Sequence, residues 1–179
     1  MSDLGSIVKK IVSSGKGILA ADESTATMTK RLESVNVNST AENRLKFRNA
    51  LFTSDELKKC IGGVILYDET LKQEINGETI PKIISKSGSI AGIKVDTGAK
   101  KLAGSNGEKI TEGLDGLRER LQEYYKLGAR FTKWRGVYSI SNMFPSKIAI
   151  TSNAHALARY AALAQESGMV PIVEPEVLM

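Results

Sequence analysis

The sequence has one cysteine, Cys60, one histidine, His155, and four prolines in 179 residues. A single cysteine excludes an internal disulfide and a cysteine-based metal site, and predicts a buried, inert thiol. The lone histidine sits in Ser152-Asn153-Ala154-His155-Ala156-Leu157, a helical pattern far from any strand end, so it is read as a surface residue without a role. With no His/Cys/Asp cluster at metal spacing, a metal-dependent mechanism has little support. No apolar run approaches the roughly 18 residues of a membrane span. Met1-Ser2-Asp3-Leu4 opens into an amphipathic pattern without a signal-peptide core, so a soluble intracellular protein is expected. Neither G-x-G-x-x-G nor the phosphate loop G-x-x-x-x-G-K-S/T occurs, which weakens any doubly wound nucleotide-binding reading.

What remains is ordinary globular composition, 41% hydrophobic and 25% charged, enough for one domain with a sizeable core. Net charge +5 with a pI near 9.3 favours anionic partners. The lysines and arginines are dispersed and lack interleaved aromatics, so small phosphorylated ligands explain that charge at least as well as nucleic acid does.

Residues 4–14 place Leu4, Ile7, Val8, Ile11 and Val12 on one helical stripe, closed by Gly15 and Gly17. A small apolar strand, Gly17-Ile18-Leu19-Ala20-Ala21, then runs into Asp22-Glu23-Ser24-Thr25-Ala26-Thr27, a strand-to-loop junction bearing two carboxylates and several hydroxyls. Ser39-Thr40-Ala41-Glu42 reads as a capping box whose helix carries Leu45, Ala50 and Leu51 inward, leaving Arg44 and Arg48 as a solvated pair one turn apart. Ile61-Gly62-Gly63-Val64-Ile65-Leu66-Tyr67 reads as a strand covered on both faces, and Asn76-Gly77 as a turn.

Punctuation then becomes regular. Gly88, Gly128 and Gly168 each precede a strand, and helix-like stretches fill the intervals, one marked by Leu114, Leu117, Leu121 and Tyr125, the next over 148–164. Repeated strand-helix units predict a parallel sheet with right-handed crossovers. Five strands are expected, near 18–21, 63–67, 90–95, 129–135 and 169–174. Three of them end in charged pairs that alternation puts on one face: Lys94 with Asp96, Lys133 with Arg135, and Glu174 with Glu176. Buried charges persist when paired or functional, so these strand ends are expected to converge on one polar site. That favours a (β/α)8 barrel, which carries its site on the carboxyl ends of several strands. Lysine and acid side chains meeting there can shift one another's pKa values enough to exchange protons, as carbonyl chemistry needs, and a desolvated lysine can form a Schiff base. The structural alternative is an ion-pair network plugging the barrel end.

The segments Gly15-Lys16-Gly17-Ile18-Leu19-Ala20-Ala21-Asp22-Glu23-Ser24-Thr25, Gly92-Ile93-Lys94-Val95-Asp96, Lys133-Trp134-Arg135 and Val170-Pro171-Ile172-Val173-Glu174-Pro175-Glu176 resemble the class I fructose-bisphosphate aldolases. The likeness also takes in Leu102-Ala103-Gly104-Ser105-Asn106-Gly107-Glu108 and Gly113-Leu114-Asp115-Gly116-Leu117. It implies a (β/α)8 TIM-barrel lyase that needs neither metal nor cofactor, cleaves fructose 1,6-bisphosphate reversibly to dihydroxyacetone phosphate and glyceraldehyde 3-phosphate, and works as a cytoplasmic homotetramer in glycolysis. It also implies catalytic roles for Asp22, acting on the bond cleaved, Glu174, general acid/base of carbinolamine formation, and Lys133, assisting it. Ser24, Thr27, Arg31, Arg44, Lys94 and Arg135 resemble residues that hold the sugar or its phosphates. Thr27 stands where many relatives have serine, and Ala26 where glycine is common, which stiffens the loop.

The family's Schiff-base lysine lies on strand six in a Leu-Leu-Lys-Pro-Asn-Met-type sequence that does not occur in these residues. It is expected beyond residue 179, with strands six to eight. Residues 1–179 alone are therefore expected to be inactive and aggregated or molten, with inward apolar faces at Val64, Leu66, Ile93 and Ile172 uncovered. A non-catalytic aldolase-like interaction protein is the alternative reading, and a nucleic-acid module, suggested by charge alone, is the weakest.

Overall fold

A computed structural model describes residues 4–179; Met1-Ser2-Asp3, read above for a signal-peptide core, lies outside them. Five strands form one parallel sheet: β1 (Gly17–Ala21), β2 (Ile61–Leu66), β3 (Ile90–Lys94), β4 (Phe131–Tyr138) and β5 (Val170–Val177). Their spatial order follows the chain, each strand beside its predecessor, with no reversal point. A doubly wound sheet has such a reversal and a barrel does not, so the order decides for barrel architecture. The sheet is the five-strand part of a curled (β/α)8 barrel. β4 and β5 run further than the sequence suggested, pairing as far as Tyr138 and Val177.

The helices are α1 (Leu4–Val12), α2 (Thr25–Glu33), α3 (Ala41–Phe52), α4 (Asp55–Cys60), α5 (Asp68–Leu71), α6 (Ile80–Lys86), α7 (Leu117–Lys126) and α8 (Lys147–Glu166). Gly88, Gly128 and Gly168 all have positive φ (81°, 110° and 76°), the left-handed exit that lets a helix end and a strand begin. A two-residue turn at Asn76-Gly77 joins a small ribbon, 74–75 with 78–79. A second antiparallel ribbon, 98–101 with 109–112, was not foreseen; Asn153 of α8 holds it by accepting from Thr111 N (3.3 Å) and donating to Lys109 O (2.9 Å).

The strand period of two divides the apolar residues between the sheet's faces. The convex face carries Ala21, Val64, Leu66, Ala91, Ile93 and Trp134, packed with Phe52, Ile80, Leu117, Leu121, Leu157 and Tyr160 from the helices. Val64, Leu66 and Ile93 are thus fully buried under helices, contrary to the expectation that they face inward uncovered; only Ile172 belongs to the concave face. A one-residue change of parity reverses which face a strand residue takes, and the register fixes it here. The concave face has its own cluster, Ile65 and Phe131 with Ile11 of α1, against which Ile90, Val170 and Ile172 pack. Two glycines permit this arrangement. A Cβ on Gly62 would lie 1.8 Å from the Ile11 carbonyl oxygen, and one on Gly92 would lie 2.4 Å from the Phe131 ring.

Other expectations are corrected. Of the α1 stripe only Ile11 is buried, while Val8 and Val12 are exposed beside the open concave face. Cys60 is exposed, not buried, because Leu57 fills the inward position of short α4 and the helix-to-strand junction turns the thiol outward. In α7 it is Tyr124 that is buried, while Tyr125 lies at the surface edge under the Arg130 guanidinium, 4.1 Å from the ring centroid. The cap of α3 is Thr40, whose hydroxyl accepts from Asn43 N, one residue later than the capping box predicts. Most consequentially, α3 is turned: Arg44, Arg48 and Phe52 face inward, Leu45 packs partly buried against the core as expected, and Ala50 and Leu51 are exposed. The acceptors that reverse it lie inside, on α5 and the loop after β1.

Candidate active site

The carboxyl ends of the strands do converge. Lys133, on the concave side of β4, places its Nζ 3.2 Å from Asp22 Oδ2 and 3.2 Å from Glu174 Oε2. Asp22 directly follows β1, three strands away; in a flat sheet those strands stand roughly 14 Å apart, at about 4.8 Å per step. The ion pair therefore spans a curled sheet. Burial works against the Lys133 ammonium, but the two carboxylates outweigh it, so its pKa is raised above the ordinary lysine value. Lys133 is held as a cation, which suits it to fix the two carboxylates and balance their charge. This differs from the mutual shift toward neutrality expected of the cluster.

Lys94 and Asp96 form the next pair, Nζ to Oδ1 at 2.8 Å, with the aspartate side chain almost wholly buried. Asp96 also accepts from Gly98 N (3.1 Å) and from the Arg135 backbone N (3.4 Å), fastening β3 to β4 and to the start of the 98–112 ribbon. The Arg135 guanidinium reaches Glu176 at 2.7 Å in a half-exposed pair. Behind the site, on the convex side, Tyr160 Oη shares a 2.8 Å hydrogen bond with Thr132 Oγ1 and donates to Ile172 O, coupling α8 to the two strands that carry Lys133 and Glu174.

Ser24 caps α2, its hydroxyl accepting from Thr27 N (3.3 Å) and lying 3.1 Å from Thr27 Oγ1. The segment read as a loop is thus a helix from Thr25 on. Arg31, at the end of α2, is half exposed and paired with Glu23. Arg44 is buried and bonded to residues outside the trio: its Nε donates to Glu69 Oε2 at 2.8 Å and its Nη1 to Ser39 O at 2.7 Å. That hydrogen bond raises the guanidinium's pKa and lowers the Glu69 carboxyl's. The structure therefore brings together Asp22, Lys94, Lys133, Arg135 and Glu174, sets Ser24, Thr27 and Arg31 on the adjoining helix, and keeps Arg44 to one side.

Two residues that the sequence named but gave no role in the site, Arg48 and Glu23, stand between these groups. Arg48, fully buried, donates to Thr70 Oγ1 (2.6 Å) and to the Glu23 carbonyl (2.5 Å). Glu23 bridges it to Arg31. Spacing had marked Arg48, but nothing in the sequence says whether an arginine pair faces water or an acid.

The class-I fructose-bisphosphate aldolase family model matches residues 3–179. The chain belongs to this family. The chain is 53% identical to the probable fructose-bisphosphate aldolase class 1 of Xylella fastidiosa (strain Temecula1), over all of this chain and 54% of that protein. It is 55% identical to fructose-bisphosphate aldolase B of Gallus gallus, over 98% of this chain and 49% of the relative. A solved structure of the Plasmodium falciparum aldolase, in complex with TRAP and a small-molecule inhibitor, superposes with TM-score 0.94 at 46% identity, over 98% of this chain and 51% of that one. The chain spans about half the length of the curated relatives it matches.

Proposed function

We propose that the protein to which these residues belong cleaves fructose 1,6-bisphosphate reversibly to dihydroxyacetone phosphate and glyceraldehyde 3-phosphate through a lysine Schiff base, as a cytoplasmic homotetramer. The observation that carries this reading is the Asp22–Lys133–Glu174 trio, one cation between two carboxylates at three strand ends, in a chain of this family. The two acids sharing one ammonium differ in exposure, and the proposed proton transfers are divided between them. Glu174, nearer solvent than Asp22, serves as the acid/base for carbinolamine formation and dehydration. Asp22 takes and returns the proton of the hydroxyl beside the bond that breaks. Lys133 fixes both carboxylates and offsets charge as protons move. The Schiff-base lysine itself is proposed to lie beyond residue 179.

Arg135 and Lys94 supply positive charge at the mouth for a bisphosphate, and Ser24, Thr27 and Arg31 offer donors at α2. Arg44 reaches an anion only by releasing Glu69, so its contribution is the smallest of the set. The test is borohydride trapping of the full-length protein with dihydroxyacetone phosphate, alongside an aldol-cleavage assay. A covalent adduct on one lysine is expected; its absence would sink the Schiff-base mechanism.

A further inference from the structure

The geometry points to Arg48 as a positioning residue for Asp22, acting from α3 through the main chain of the loop between β1 and α2. Asp22 is the one member of the trio outside a strand; residues 22–24 have no ladder to hold them. What fixes that loop is a set of side chains. Ser24 caps α2 on one side, and on the other the Arg48 guanidinium reaches across to the carbonyl of Glu23, the residue bonded to Asp22. The second arm of the same guanidinium is anchored on Thr70 of α5, just past the carboxyl end of β2. Arg48 therefore ties the Asp22 loop to the strand end beside it, with a planar fork whose two arms cannot shift independently.

A merely packing role explains this residue poorly. Arg48 is 0% exposed, and burial pushes its guanidinium down against the pull of Glu23 and Glu69. Its Nε finds no hydrogen-bond partner among the described residues, nor does Glu23 Oε2, 3.7 Å from the guanidinium. A buried cation with an unpaired donor is a poor way to join a helix to a sheet, since a well-packed apolar side chain of similar volume does as well or better. A fixed fork is justified where one carbonyl must be held in place. In a site where an ångström of misplacement costs about a hundredfold in rate, the held carbonyl's neighbour is the proposed acid/base Asp22.

The inference rests on the proposed function for its kinetic readout, and a second readout is independent of turnover. In the full-length protein, Arg48→Met is expected to lower kcat for fructose 1,6-bisphosphate cleavage about 10–100-fold with KM changed less than about twofold, because Asp22 moves while the phosphate-holding groups do not. Arg48→Lys, which keeps the charge but lacks the fork, is expected to recover only part of the loss, and serves alone if the Met variant does not fold. A lowered Tm with wild-type kcat at low temperature would overturn the proposal and leave Arg48 a structural residue. The independent measurement is a 13C NMR titration of Lys133, assigned through Lys133→Met. If Arg48 holds Asp22 in place, its variants shift the Lys133 titration to lower pH, in the direction of an Asp22→Asn control. An unchanged titration overturns the proposal even if the wild-type protein shows no aldol cleavage, a result that would separately refute the proposed function.

Discussion

The two faces of the sheet are built from alternate residues of the same five strands, yet they answer to different constraints. The convex face is covered by helices from Val64 to Trp134 and opens at β5, where Val173, in register with Trp134, is exposed. The concave face is divided along its length. Toward the amino ends of the strands Phe131, Ile65 and Ile11 make a small apolar floor that continues into an apolar groove of about 120 Å³ lined by Val8, Val12, Ile18, Val170 and Ile172. Toward the carboxyl ends it turns wholly ionic, with Asp22, Lys94, Lys133 and Glu174. The strand alternation that hides Trp134 is the same one that presents Lys133 and Arg135, so stability and chemistry are written in alternate letters of one segment.

That division predicts that changes on one face move function and changes on the other move stability. The largest effect is expected from Glu174→Gln in the full-length protein: a proton carrier is lost without a change of shape, so kcat should fall about 10²–10⁴-fold while Tm hardly moves. An unchanged kcat refutes the assigned role. Next is Trp134→Ala on the convex face. Trp134 is fully buried and stacked on Tyr160 at 5.4 Å, so removal should cost about 3–5 kcal/mol in denaturant unfolding. A loss under about 1 kcal/mol would show that the helix layer does not depend on it.

Smaller, and on the concave face again, is the pH response of the trio. The Lys133 pKa is raised in the folded state, so its pairing stabilises fully below the ordinary lysine value of 10.5 and is lost as pH rises through the higher folded value. The stability difference between wild type and Lys133→Met should therefore be constant near neutrality and shrink above about pH 10.5. A difference that grows with alkalinity would contradict the pairing. The smallest effect is expected at Arg135→Gln, whose partner Glu176 shares its exposure; stability should change by less than about 0.5 kcal/mol by chemical denaturation.

Much of this was legible in advance because it depends on local order. The strand cores, the glycine exits at 88, 128 and 168, and the pairing of charged residues at three strand ends all follow from period, propensity and φ. The inward turn of α3 was not legible. Ala50 and Leu51 argued one orientation and the two arginines took the other, since Glu69, Thr70 and the Glu23 carbonyl, distant in sequence, supply buried acceptors. Nor were the contact of Asp96 with the Arg135 backbone N and the placement of Asn153, whose partners lie on other elements.

By itself the sequence determined that the chain alternates strand and helix, that the strands are parallel, and that cations and acids end them on a common face, because each is a consequence of spacing along the chain. Which residues those charges would meet was decided only by the tertiary structure. Curling a sheet brings β1 to β4 across two intervening strands, and an ion pair such as Asp22–Lys133, 111 residues apart in the numbering (133 − 22), exists through that curvature alone.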